Sequence, residues 1–123
     1  MALFTNTTFD SFEHLFLDQL QDIYDAEQRL AKALPRMAEA ADDPRLKTAL
    51  RDHLTETERQ LKSLDELFER VDQKPQAKTC EAMKGLISEA EQLADAKGDE
   101  SIRDAAIIAA AQRIDHYEMA AYG

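Results

Sequence analysis

Apolar residues recur at every third or fourth position early in the chain: Phe12, Phe16, Leu20, Ile23, Leu30, Leu34 and Met37. That spacing makes an amphipathic helix. Its stripe is broken in the middle by one carboxylate, Glu27. The neighbours three and four positions away on that face are Ile23, Tyr24, Leu30 and Ala31, so no cation can pair with Glu27 locally. A carboxylate on a core face costs on the order of several kcal/mol unless it is paired, protonated or bound to a metal. The fold of the remaining chain must answer that cost.

The rest of the sequence is helical too. Ala, Leu, Glu, Lys and Gln dominate, β-branched residues never alternate, and three Gly and three Pro leave few breaks. The expected class is all-α, a single domain over residues 1–123. Asp10 and Glu13 have capping-box spacing, so the first helix should start near Ser11. It should run to about Ala41, with Pro35 kinking its last turns or ending its regular hydrogen bonding. Asp43 is a natural N-cap and Pro44 suits the first position of a second helix, about 44–73. Its seam reads Leu46, Leu50, His53, Thr57, Gln60, Leu64, Leu67 and Val71, apolar at the ends and polar in the middle, with Glu56 beside it.

Two helices of about 30 residues are about 45 Å long. Joined by a short turn, they form an antiparallel hairpin that brings residues near 27 and 57 to one level. After a linker at 72–76, a shorter helix from Thr79, its expected N-cap, to Ala96 suggests a strap over the bundle. Gly98 is its expected C-cap and Asp99 the next N-cap. The last helix begins near Glu100 and still runs at Tyr122. Asp115 and Glu118 lie one turn apart on it, again with no cation at helical spacing.

Charge and cysteine usage exclude several classes. The net charge of −10 argues against nucleic acid and against anionic membranes as partners. The lone cysteine, Cys80, excludes an internal disulfide and a thiolate metal cluster, and reads as a small apolar residue. Residues 1–9 look like a loose lead-in without the features of a signal peptide. No run approaches the ~20 apolar residues that span a bilayer. A cytoplasmic protein is expected.

Three long helices thus each place one or two carboxylates at or beside an apolar seam: Glu27, Glu56, Asp115 and Glu118, with His53 and Gln60 nearby. Bundles that bind two iron or manganese ions are built in this way, because paired divalent cations need several anionic oxygens and offset the cost of burying them. Each residue also has a plainer role open to it. Glu27 could reach solvent or a cross-helix cation such as Arg36, Arg51 or Arg113. Asp115 and Glu118 could form a solvated face, and Glu56 could be a surface acid. His53 could be a hydrogen-bonded core histidine, and Gln60 a residue supporting the ligands. His14 and His116 read as structural. Tyr24 and Tyr122 either hydrogen-bond the inner carboxylates or pack with the hydroxyl at the edge.

The segments LFLDQLQDIYDAEQRLAKALPRMAEAA (15–41), HLTETERQLKSLDELFE (53–69), CEAMKGLISEAEQL (80–93) and AAIIAAAQRIDHYEMAAYG (105–123) resemble the YciE/YciF-like family of ferritin-like bacterial proteins. The resemblance implies a ferritin-like four-helix bundle with an extra short helix, a dimer, a dinuclear metal site and an association with stress responses. It carries over Glu27, Glu56, Asp115 and Glu118 as ligands, with His53. Two departures stand out. The Glu-x-x-His motif of ferritins is absent, since Ser11, Leu50 and Arg113 stand three residues before the histidines. Related proteins also continue past the AAYG segment into a further long helix, whereas this sequence stops at Gly123. The expectation is a bundle with its last helix missing and one groove open: either the sequence is a C-terminally incomplete fragment, or the groove is closed by a second copy or by a chain supplying that helix. The function expected is binding of a dinuclear iron or manganese centre, serving iron oxidation or storage, or an oxidase or peroxidase activity on oxygen or peroxide. The alternative is a helical dimerising stress or interaction protein whose metal site is unused.

Overall fold

Ser11 starts the first helix. Its hydroxyl accepts the backbone N–H of His14 and opens α1 (Phe12–Ala40). The cap is therefore Ser11, and not Asp10 as the capping-box spacing implied. The structure, a computed structural model, describes residues 8–123. The expected lead-in lies outside the described residues except for Thr8 and Phe9, which are exposed. Pro35 does not end α1, which runs on for five more residues. Phe12 and Phe16, the first members of the apolar stripe, are exposed at 86% and 46%. The buried part of α1 begins at Leu20.

Asp43 caps α2 (Pro44–Arg70), accepting the N–H of Arg45, with Pro44 in the first turn as expected. α2 ends three residues before the expected boundary, and Asp72 just beyond it adopts a left-handed φ of 54°. The N-cap of α3 (Glu81–Ala94) is Cys80 rather than Thr79: its sulfur accepts the Met83 N–H. α3 closes at Asp95, so Gly98 belongs instead to the turn beyond, where its φ of 125° favours glycine. Asp99 caps α4 (Glu100–Tyr122), as its sequence indicated.

α1 and α2 pair as the expected antiparallel hairpin, and α3 and α4 pack on each other and on α1. All four elements are helices, and no strand occurs among the described residues. The core falls into two parts. The larger joins Leu30, Leu34 and Met37 of α1 to Leu50 of α2, Met83 and Ile87 of α3, and Ile107 and Ile114 of α4. The smaller joins Leu20, Leu64 and Phe68, with the Tyr24 ring edge-on to Phe68 at 5.3 Å. Between them along the hairpin lie two polar residues, Glu27 and Thr57, exposed by only 1% and 0%. α2 and α4 stand apart and leave a groove of about 1220 Å³ between them.

Candidate functional site

The groove brings His53 of α2 together with Asp115 and Glu118 of α4. His53 Nε2 lies 2.9 Å from Glu118 Oε1, and its Nδ1 lies 3.5 Å from Asp115 Oδ1. One ligand atom from each of the three falls within 4.8 Å of the others. Asp115 and Glu118 share a face because they are three apart on a helix, and His53 meets them because α2 and α4 both lie along α1. Behind this cluster sits Glu27, which faces Glu118 and Tyr122. One of its oxygens, Oε2, is buried with no hydrogen-bond partner.

The electrostatics follow from burial and crowding. Burial, reinforced by Glu118, pushes the Glu27 carboxyl up to about 9, with the Tyr122 hydroxyl acting in the opposite sense. Burial and the facing Glu118 thus favour the neutral form of Glu27. Burial also opposes a charge on Glu118, but His53 and Glu27 together hold it below the usual carboxylate range. His53 is raised by its hydrogen bond to Glu118, against its own burial. Asp115 is raised by burial, although His53 counters this. The neutral form favoured at Glu27 and the raised affinity of His53 for a proton both reduce the repulsion among three acids.

The remaining sequence candidates separate. Glu56 is exposed on the groove wall and is not among the clustered ligand atoms. Gln60 lines the same groove, and its Oε1 is buried without a partner. His14 and His116 are exposed, the latter with Nδ1 at 2.8 Å from the Gln112 carbonyl. Arg36 pairs with Glu91 and Arg113 approaches Glu89, so neither serves Glu27, and Arg51 is exposed and unpaired among the described residues. Tyr24 packs on Phe68, and of the two tyrosines it is Tyr122 that meets the inner carboxylates.

Three supporting carboxylates escaped the sequence reading. Asp104, 7% exposed, accepts the N–H groups of Asp42 and Asp43 at 2.8 Å each, tying α4 to the α1–α2 turn. Asp25 accepts from Arg29 at 2.6 Å and from the Cys80 N–H at 2.7 Å, anchoring the start of α3 to α1. Asp22 lies 3.4 Å from the Tyr117 hydroxyl, which in turn is 3.1 Å from Cys80 Sγ. Cys80 is thus a cap and a hydrogen-bonding group rather than a simple apolar filler. Each acid takes at least one partner from a distant segment, a backbone N–H for Asp104 and Asp25 and the Tyr117 hydroxyl for Asp22.

The cluster could hold a divalent cation. Its donors are carboxylate oxygens and one imidazole, a set suited to iron or manganese. The unpartnered Glu27 oxygen and the proton-compensated acids are what a cation would satisfy.

The family model described as Domain of unknown function (DUF892) matches residues 11–123. The protein YciF of Escherichia coli (strain K12) is 40% identical over 114 residues, which cover 92% of this chain and 69% of YciF. Among solved structures, YcfI from Rhodopseudomonas palustris, provisionally described as a structural protein, matches with a TM-score of 0.92 and 44% identity. That match covers 98% of this chain and 76% of YcfI. The structure of the E. coli stress protein YciF matches with a TM-score of 0.88 and 39% identity, covering 94% of this chain and 73% of that one.

Proposed function

The chain belongs to the DUF892 family, and from that premise we propose that it binds divalent iron or manganese in the groove between α2 and α4 and acts, like the stress protein YciF, in a stress response. Glu27, His53, Asp115 and Glu118 would hold the metal, with Glu56 reaching in from the wall. Five such side chains suit a pair of ions rather than one. The observation that carries this reading is Glu27: fully buried, facing a second acid, with one oxygen lacking any partner.

Iron held there would supply electron exchange with oxygen or peroxide, the basis for an oxidase, peroxidase or iron-storage role. The chain's own residues do the preparatory work. Glu27 and His53 would have to be deprotonated to serve as ligands, and the Tyr122 hydroxyl lies beside Glu27 as its hydrogen-bond partner. The packed alanines and isoleucines of α4 keep the inner side of the site dry. Loading the protein with ferrous iron without oxygen tests the proposal. About two ions per folded chain are expected, and Glu27→Gln should lose them; a well-folded protein without bound metal would overturn it.

A second reading has its own support. His53 already pairs with both Glu118 and Asp115, so the cluster is satisfied without metal except at Glu27. Ile108 and Met119, which line the groove, are exposed at 43% and 69%. A helical protein that dimerises through this groove, its metal site unused, accommodates both facts. Its mass in solution would then be that of a dimer whether or not metal is supplied.

A further inference from the structure

A second concave site lies between α1 and α3, and its charge runs against that of the whole molecule. The chain carries 25 acidic and 15 basic residues. Around this pocket of about 380 Å³, however, four cations, Arg29, Lys32, Arg36 and Lys84, meet only two carboxylates, Asp25 and Glu91. Both carboxylates are already engaged. Asp25 holds Arg29 through Nε at 2.6 Å, and Glu91 holds Arg36 through one terminal nitrogen at 2.6 Å. The ammonium groups of Lys32 and Lys84 make no salt bridge or hydrogen bond among the described residues.

The arrangement is built rather than diffuse. Arg29, Lys32 and Arg36 follow one another at spacings of three and four, so they form a single ridge of α1, where like charges repel. Lys84 faces them from α3, with Ser88 one turn further along and Ile87 beneath. Arg29 is fixed in place by a buried carboxylate that is itself pinned by the Cys80 N–H. With Nε spent on Asp25, its terminal N–H groups have no other partner among the described residues. A planar guanidinium held in this way is suited to a phosphate oxygen pair. A negative ligand would relieve the repulsion along the ridge, and the volume lies at the low end of small-molecule sites.

We propose that the α1–α3 pocket binds the phosphate group of a small anion, held by Arg29, Lys32 and Lys84 with the Ser88 hydroxyl. The site is independent of the metal reading. It lies about half a turn round α1 from Glu27, since residues advance about 100° each. The basic pocket occupies one face only, and the molecule as a whole, at a net charge of −10, still repels polyanions.

The test is a titration of the metal-free protein at constant ionic strength, with chloride as the balancing salt. Inorganic phosphate is one probe and glycerol phosphate the other, followed by amide shifts at Arg29, Lys32, Lys84 and Ser88 and by calorimetry. Saturable binding is expected. Lys32→Ala with Lys84→Ala should weaken it about tenfold or more, while Lys32→Arg with Lys84→Arg should retain it. Equal affinity for both probes assigns free phosphate, and tighter glycerol phosphate assigns a phosphomonoester. No saturable binding of either probe, or equal binding by the wild type and the alanine variant, overturns the proposal. Both lysines are exposed, so the variants should fold, and their metal content should match the wild type.

Discussion

His53 Nε2 sits 2.9 Å from Glu118 Oε1 and so links the middle of α2 to the end of α4 across an open groove. The two side chains are only 19% and 12% exposed, so the pair works in a partly dry setting. Glu118 in turn faces Glu27, whose burial keeps it protonated. Three helices therefore meet through one imidazole and two acids, and the consequences can be measured.

Removing His53 should destabilise the metal-free protein. In His53→Ala, Glu118 loses its charge-assisted partner, worth about 2 kcal/mol. The folded-state value of His53 is raised from its ordinary 6.5. Its contribution is therefore fully present below pH 6.5 and is lost as pH rises through the raised value. Denaturant titrations of wild type and variant should differ most near pH 6 and converge in alkali.

Glu27→Gln should show a pH signature of its own. Glu27 rises from 4.5 to about 9 on folding, so its neutral form supports the fold below pH 4.5 and that support drains away as pH climbs towards 9. The variant carries no such linkage. It should match the wild type near pH 5 and be the more stable of the two, without metal, near pH 9. A wild-type stability flat across that range would show that Glu27 is ionised in the folded state.

Metal uptake should release protons. Glu27 and His53 must both deprotonate to act as ligands, so apparent affinity should tighten as pH rises from 6 towards 9. Calorimetry in buffers of different ionisation enthalpy would count the protons released by the wild type.

Asp104→Ala should lower stability by about 3 kcal/mol, because two backbone N–H groups of the α1–α2 turn lose a charged acceptor in partly buried hydrogen bonds. The thermal midpoint should drop while metal content per folded molecule holds, which separates a fastening residue from a ligand.

Cys80 should resist alkylation in the native protein. It is 1% exposed, and burial raises its thiol above the ordinary value. Reaction with iodoacetamide should be slow until denaturant opens the fold, then complete; fast native labelling would contradict the packing around Tyr117.

Local chemistry determined most of the architecture. Asp43 before Pro44 and Asp99 before Glu100 mark helix starts that depend only on neighbouring residues, and both appear where the sequence placed them. The apolar stripes of the first two helices, polar at mid-length, likewise required a hairpin with Glu27 near Thr57. The errors arose where a local signal had competitors: Asp10 beside Ser11, and Thr79 beside Cys80, differ only in which backbone turns helical first. Phe12 and Phe16 fit the stripe perfectly well, yet they lie beyond the end of the buried seam. What the sequence could not decide was which acids meet. Asp115 and Glu118, one turn apart, and Glu56, a step off its seam, were all candidate ligands by position, but only the first two join His53 in a compact cluster. Asp25 and Asp104 carried no distinguishing sequence signal, because the N–H groups they accept come from distant segments. Helical periodicity reports the face on which a residue lies, whereas the distance between faces of different helices depends on how the whole set packs, and a carboxylate's partner is found only there.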